Sequence, residues 1–280
     1  MAVIIGVRQK GLFPKKIEWQ DILIDGMGYG VFGEGHRLEE HQTGKFTIVY
    51  FRKNIQRGFE VLLEQGAVYL KFTLPSSEEE IRALFSYTRF LCEYLETDRF
   101  IYNDQEYGLE QIDELIAGCI EASVQTLWDI RRKIDGGECR SLFIFGAKNP
   151  IALGKEEMQE VNGNLERFGA LLHRLQSMDV YYAIPALYRL KDGSSLGVYI
   201  ISADTPSVFP LVPGDGMFLK APPETWKVMF SVNGQQAGVL MFDDLIAHVD
   251  SSRRYDDKRV ILTLSADEIR TLSEEYGTNL

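Results

Sequence analysis

Residues 100–117 read FIYNDQEYGLEQIDELIA, and residues 230–247 read FSVNGQQAGVLMFDDLIA. Laid over one another without a gap, they agree at 8 of 18 positions: Phe100/Phe230, Asn103/Asn233, Gln105/Gln235, Gly108/Gly238, Asp113/Asp243, Leu115/Leu245, Ile116/Ile246 and Ala117/Ala247. Each stretch starts as a β-rich run and reaches Asn-Asp or Asn-Gly, pairs that tolerate the left-handed backbone of a tight hairpin turn. A short return strand follows, then a helix. A second element recurs: FTLPSSEEEIRAL, from Phe72, resembles LTLSADEIRTL, from Leu262. Both run strand, Ser-x-x-Glu cap, then Ile-Arg on a helix. WQDILI at 19–24 is a fainter echo of FDDLIA. Such alternation predicts an α+β fold: largely antiparallel sheets with helices packed on one face, built from repeated strand–turn–helix units.

The remaining chain fits this plan. Residues 3–8, 45–52, 59–63 and 68–74 read as strands, and 17–24 as a short helix. A capping box at Ser77 and Glu80 opens the clearest helix, with its stripe at Ile81, Leu84, Phe85, Leu91, Cys92 and Leu95. A second helix spans 111–134 and stops at Gly136 and Gly137. Residues 141–145 form a short apolar strand and 165–178 an amphipathic helix. Residues 181–190 and 196–202 make a hairpin around the KDGSS turn. Strands at 226–232 and 259–264 follow, and a helix starts at a Ser265/Glu268 capping box. The expectation is one compact unit over 1–280, with a split into 1–97 and 98–280 as the alternative.

Composition narrows the function. The 280 residues carry a net charge of −11, and the hydrophobic share of 45% is that of an ordinary globular protein. That sign repels phosphate backbones and anionic lipid, and no basic stripe overrides it, so neither nucleic acid nor a membrane is an expected partner. No run approaches the roughly 18 apolar residues of a membrane span. Cys92, Cys119 and Cys139 are odd in number and far apart, which favours reduced thiols in a cytoplasm.

Several motifs suggest chemistry. Gly28, Gly30 and Gly33 spell G-x-G-x-x-G, but a dinucleotide loop needs a strand before it and a helix opening at its end. Here a helical segment precedes and a strand follows, so the glycines are read as permitting bends or bulges in a strand pair. Gly193-Ser194-Ser195-Leu196-Gly197 matches G-x-S-x-G, yet it runs into a strand rather than a helix and reads as hairpin chemistry. His36 and His41 are five apart, missing the spacing that puts two histidines on one metal, and HRLEEH is read as a solvated loop. His173 and His248 read as packing or helix-end residues. Asp113, Glu114, Asp243 and Asp244 read as first-turn acids that suit the helix dipole. No catalytic residue, cofactor or metal site is assigned.

The stretch from 205 to 226 holds five of the nine prolines: Pro206, Pro210, Pro213, Pro222 and Pro223. Prolines lack the N–H that a sheet interior needs, so this segment is expected to stay out of one. It carries Phe209, Leu211, Val212, Met217 and Phe218, which fold back over the core or form an interaction loop.

IQRGFEVLL (55–63) and LPSSEEEIRALF (74–85) resemble a family of Gram-positive bacterial proteins of about this length, known as a domain of unknown function. The resemblance spans most of the chain and implies a bacterial cytosolic protein, with no activity to transfer. Its most motif-like pair, Arg57-Gly58, reads as the start of a strand after a turn. The expectation is a non-catalytic protein-binding or scaffold protein with a protein partner or as a homo-oligomer. The alternative is a small-ligand binder or enzyme whose site is assembled between repeat units, with Asn103/Asn233 and Asp113/Asp243 as the places to look.

Overall fold

The computed structural model describes residues 2–10, 16–33, 37–215, 221–248, 250 and 253–279. The chain packs as two compact units, Met1–Ser177 and Met178–Leu280.

In the first unit the elements run β1 (Ala2–Arg8), α1 (Trp19–Ile22), β2 (Met27–Phe32), β3 (Leu38–Glu40), β4 (Thr47–Phe51), β5 (Phe59–Glu64) and β6 (Ala67–Thr73). They continue α2 (Glu78–Tyr94), β7 (Arg99–Tyr102), β8 (Gln105–Gly108), α3 (Ile112–Asp135), β9 (Leu142–Phe145), β10 (Pro150–Leu153), α4 (Lys155–Val161) and α5 (Leu165–Gln176). Eight strands form one antiparallel sheet in the order β3-β2-β4-β5-β6-β1-β7-β8. The N-terminal strand is thus inserted between β6 and β7, which α2 connects. Alternation in β1 sends Val3, Ile5 and Val7 into the core and leaves Ile4 outside. Against that inner face lie Ile81, Leu84, Phe85 and Leu91 of α2 and Ile112, Ile116 and Cys119 of α3, so the helices cover one face as the helical stripes require. β9 and β10 form a separate two-stranded ribbon.

The second unit runs β11 (Tyr181–Tyr182), β12 (Ala186–Arg189), β13 (Ser195–Ser202), β14 (Ser207–Pro210), β15 (Thr225–Val232), β16 (Gln235–Met241), α6 (Phe242–His248), β17 (Arg254–Asp256), β18 (Arg259–Leu262) and α7 (Ala266–Tyr276). Two four-stranded sheets result, ordered β12-β13-β15-β16 and β11-β14-β18-β17. They are largely antiparallel, with parallel pairing of β13 with β15 and of β11 with β14. Tyr199, Phe209, Val228, Phe230, Phe242, Leu262 and Ile269 draw both sheets and both helices into one core.

The α+β class therefore stands, and both quoted stretches fold as a hairpin followed by a helix. Asn103 and Asn233 turn the hairpins in the left-handed region, at φ 45° and 51°. The helices then diverge, α3 running 24 residues and α6 only 7.

Four expectations need correction. β2 is regular and pairs on both sides without a register shift, so its glycines do not bend it. They make room: a Cβ on Gly28 would sit 2.3 Å from the Tyr50 ring, and one on Gly30 the same distance from the Glu39 carbonyl oxygen. Within HRLEEH, Leu38–Glu40 is an edge strand rather than a loop; His36 lies outside the described residues. The run at 181–190 is two strands in different sheets, parted at Pro185, which can donate no ladder hydrogen bond. Finally, β14 sits inside its sheet between β11 and β18 despite its prolines. Pro206 lies just outside the strand and Pro210 is its last residue, so the missing donors fall at its ends.

Candidate functional site

The site-forming feature is the segment Asn54–Gly58, which leads into β5, together with the first turn of α2. Ser77 caps α2 as expected, its hydroxyl accepting from the Glu80 amide at 3.2 Å. The reciprocal half of the capping box is absent. The Glu80 carboxylate turns away from its own helix end and accepts from the amides of Arg57 (2.8 Å) and Gly58 (2.7 Å). Gly58 is held at φ 67°, where a side chain would be strained. Burial pushes the Glu80 carboxyl up, against the pull of those amides, the Arg57 charge and the Ser76 hydroxyl.

This tie presents Gln56 and Arg57 to two separate cavities. Arg57 donates through Nε to the Phe145 carbonyl at 3.0 Å and through Nη1 to the Thr73 and Pro75 carbonyls at 2.9 Å. It lines a pocket of about 430 Å³ beside α3 and β9.

Gln56 lines a larger groove, of about 740 Å³, between the Lys53–Asn54 turn, the start of α2 and one side of α5. The Gln56 side chain is 2% exposed, and its carbonyl oxygen meets no donor. A buried acceptor left unmade costs about 1–3 kcal/mol. Gln176, equally buried, provides the contrast. Its carbonyl oxygen accepts from the amides of Lys148 and Asn149, and its amide donates to the Asn149 carbonyl. One buried glutamine staples the β9–β10 turn; the other lines the groove with its carbonyl oxygen buried and unpaired.

Three further groups equip the groove. The Ile55 amide donates to Nδ1 of His173 at 3.0 Å, which puts the imidazole proton on Nε2 and leaves that N–H as a donor. Lys53 and Glu166, both on the lining, have no hydrogen-bond or ion-pair partner among the described residues. Glu79 and Glu78 are already engaged, with Asn54 and Arg82 respectively. α5 can come this close because position 169 is glycine: a Cβ there would lie 2.9 Å from the Ser77 side chain. The groove therefore offers one cation, one anion, an N–H donor and a buried acceptor within one lining.

The residues singled out from the sequence lie elsewhere, His173 excepted. Asn103 and Asp113 belong to the first unit, Asn233 and Asp243 to the second, and the two aspartates are exposed at helix starts. His248 packs its ring on Tyr276 with centroids 4.3 Å apart. Ser195 accepts from the Glu224 amide at the start of β13. Of the proline-rich stretch, Phe209 is fully buried and stacks on Phe242, Leu211 is half-buried and Val212 is exposed; Met217 and Phe218 lie outside the described residues. Among the described residues no group of histidine, cysteine and carboxylate side chains is arranged to hold a metal, and no helix is long and apolar enough to cross a membrane. Sequence reading missed Gln56 because a single buried amide leaves no spacing signature.

No curated protein and no solved structure matches the chain. A family model does, over residues 2–272, nearly the whole sequence, including both segments that carried the resemblance noted from the sequence. The chain belongs to the family described as "Domain of unknown function (DUF4299)".

Proposed function

We propose that this protein binds a small polar ligand in the groove lined by Gln56, His173, Lys53 and Glu166. The observation that carries this reading is the Gln56 carbonyl oxygen, buried without a donor in a residue that lines a cavity large enough for a metabolite. A ligand N–H or O–H would satisfy it, and recovering that hydrogen bond in a water-poor spot favours binding. Lys53 and Glu166 suit a molecule bearing both charges, of the size of an amino acid or a dipeptide. The lining contains no nucleophile paired with a base, so the role is binding rather than turnover.

Native mass spectrometry of the purified protein, with amino acids and dipeptides as added probes, tests this. A stoichiometric adduct lost in Gln56→Leu supports it. Absence of any adduct, or one indifferent to that change, overturns it.

A protein-docking role is the second reading, and one observation favours it. Strand β12 is an edge of its sheet; Leu187 and Tyr188 on it, and Leu190 just past its end, are 48%, 51% and 44% exposed. Edge strands with apolar side chains are sites of strand addition, by a partner or a second copy. Concentration-dependent association in sedimentation experiments, removed by Tyr188→Asp, would support that reading. The buried thiols of Cys92 and Cys119 suit a reducing compartment, consistent with a cytoplasmic protein.

A further inference from the structure

We infer that the pocket beside α3 and β9 is a second binding site, selective for a small organic oxyanion whose charged end meets Arg57 and Lys133. This site shares no lining residue with the Gln56 groove.

Arg57 is held at three points. Its guanidinium spends Nε on the Phe145 carbonyl and Nη1 on the carbonyls of Thr73 and Pro75, which fixes its position. Among the described residues the second terminal nitrogen, Nη2, has no hydrogen-bond partner, and no carboxylate lies within ion-pair distance of the group. Glu80, the acid nearest in effect, turns one oxygen to two backbone amides and makes no ion pair with Arg57. A guanidinium held by three neutral carbonyls, with Glu80 acting on it only at longer range, keeps donor capacity for an anion. Its pKa is lowered to about 10 by burial, with the charge of Glu80 opposing, so it stays protonated at neutral pH.

Lys133, on the same lining, is exposed and has no ion-pair partner among the described residues. The lone carboxylate on the wall, Asp129, is engaged directly by Arg132 and by Gln125 and feels the Lys133 charge only at longer range. The Thr126 hydroxyl donates to the Ala122 carbonyl at 2.7 Å and retains only acceptor capacity, so it adds no donor for an anion. In a protein of net charge −11, two cations on one lining without a direct ion pair among the described residues stand out from the surface around them. Guanidinium and ammonium donors together match a phosphate or a carboxylate. Pro75, Ile130, Leu142 and Phe143 supply apolar wall, so the ligand carries a hydrocarbon body behind its charge.

Isothermal titration calorimetry of the full-length protein with phenyl phosphate and with benzoate tests the site, with inorganic phosphate and acetate as tail-less controls. Saturable binding by either aromatic probe, weakened about tenfold in Lys133→Met and weakened by added salt, is the expected result. A preference for phenyl phosphate identifies a phosphomonoester, and one for benzoate a carboxylate; both support the site. Gln56→Leu should leave this binding unchanged, which separates it from the groove. Arg57→Lys should also weaken it; if that variant fails to fold, Lys133→Met decides, since its side chain reaches solvent. No saturable heat from any probe, or affinity unaltered in Lys133→Met, overturns the inference.

Discussion

The Glu80 carboxylate lies 2.7 Å from the Gly58 amide, binding the first turn of α2 to a backbone bend 22 residues earlier. The same oxygen also takes the Arg57 amide. This one side chain sets the entrance to β5, and through it the positions from which Gln56 and Arg57 address their separate cavities.

Removing it should be costly. Glu80→Ala leaves two amide N–H groups without an acceptor and is expected to lower stability by about 3 kcal/mol, measured by urea denaturation. Loss below about 1 kcal/mol would show that water replaces the carboxylate freely.

Titration adds a signed prediction. Because burial raises the Glu80 carboxyl, the folded state binds its proton more tightly than the unfolded chain. That contribution is fully present below the unfolded carboxylate value and is lost as pH rises through the folded one. Glu80→Gln has no such group, so wild type should lose stability relative to the variant as pH rises above the unfolded carboxylate value of about 4. A difference that stays constant over that rise contradicts the assignment.

Gln56→Leu should do two opposite things. Replacing an unsatisfied buried amide with an apolar group of similar shape is expected to stabilise the protein by about 1 kcal/mol, raising Tm. Ligand binding in the groove should vanish in the same variant. A fall in Tm would mean that the Gln56 amide is satisfied in solution.

Gly30→Ala places a methyl against the Glu39 carbonyl oxygen, backbone that cannot swing aside. We expect a loss of about 2 kcal/mol in thermal or chemical unfolding, with no effect on nucleotide binding, because β2 is a paired strand and not a phosphate loop. Unchanged melting would show that β2 and β3 separate easily.

The thiols should differ in reactivity. Burial, with a smaller contribution from Asp98, pushes Cys92 up to about 11, and burial likewise raises Cys119. Cys139 is only half-buried. Native labelling with iodoacetamide, read by mass spectrometry, should modify Cys139 first and reach the other two only on unfolding.

Local structure was legible because local physics writes it. Ser77 and Ser265 each cap a helix through the amide three residues on, and Asn103 and Asn233 turn hairpins between adjacent strands. These interactions depend on neighbours within four positions, so residue type and spacing announce them. Ser265 even completes its box with Glu268, whereas the identical signature at Ser77 loses its second half to a distant competitor. The Gly28–Gly33 stretch was legible as a strand, but its reason was not. The Tyr50 ring and the Glu39 carbonyl that claim the space come from neighbouring strands.

By itself, then, the order of residues determined the α+β class, the turn and cap positions and the covered faces of α2 and α3. Packing alone decided that Glu80 would serve Gly58 instead of Ser77, that the Gln56 oxygen would be buried without a donor, and that Arg57 would be held by three carbonyls. Such choices arise where segments far apart in the chain compete for the same few ångströms. A contact between positions 58 and 80, or 55 and 173, has no period to betray it.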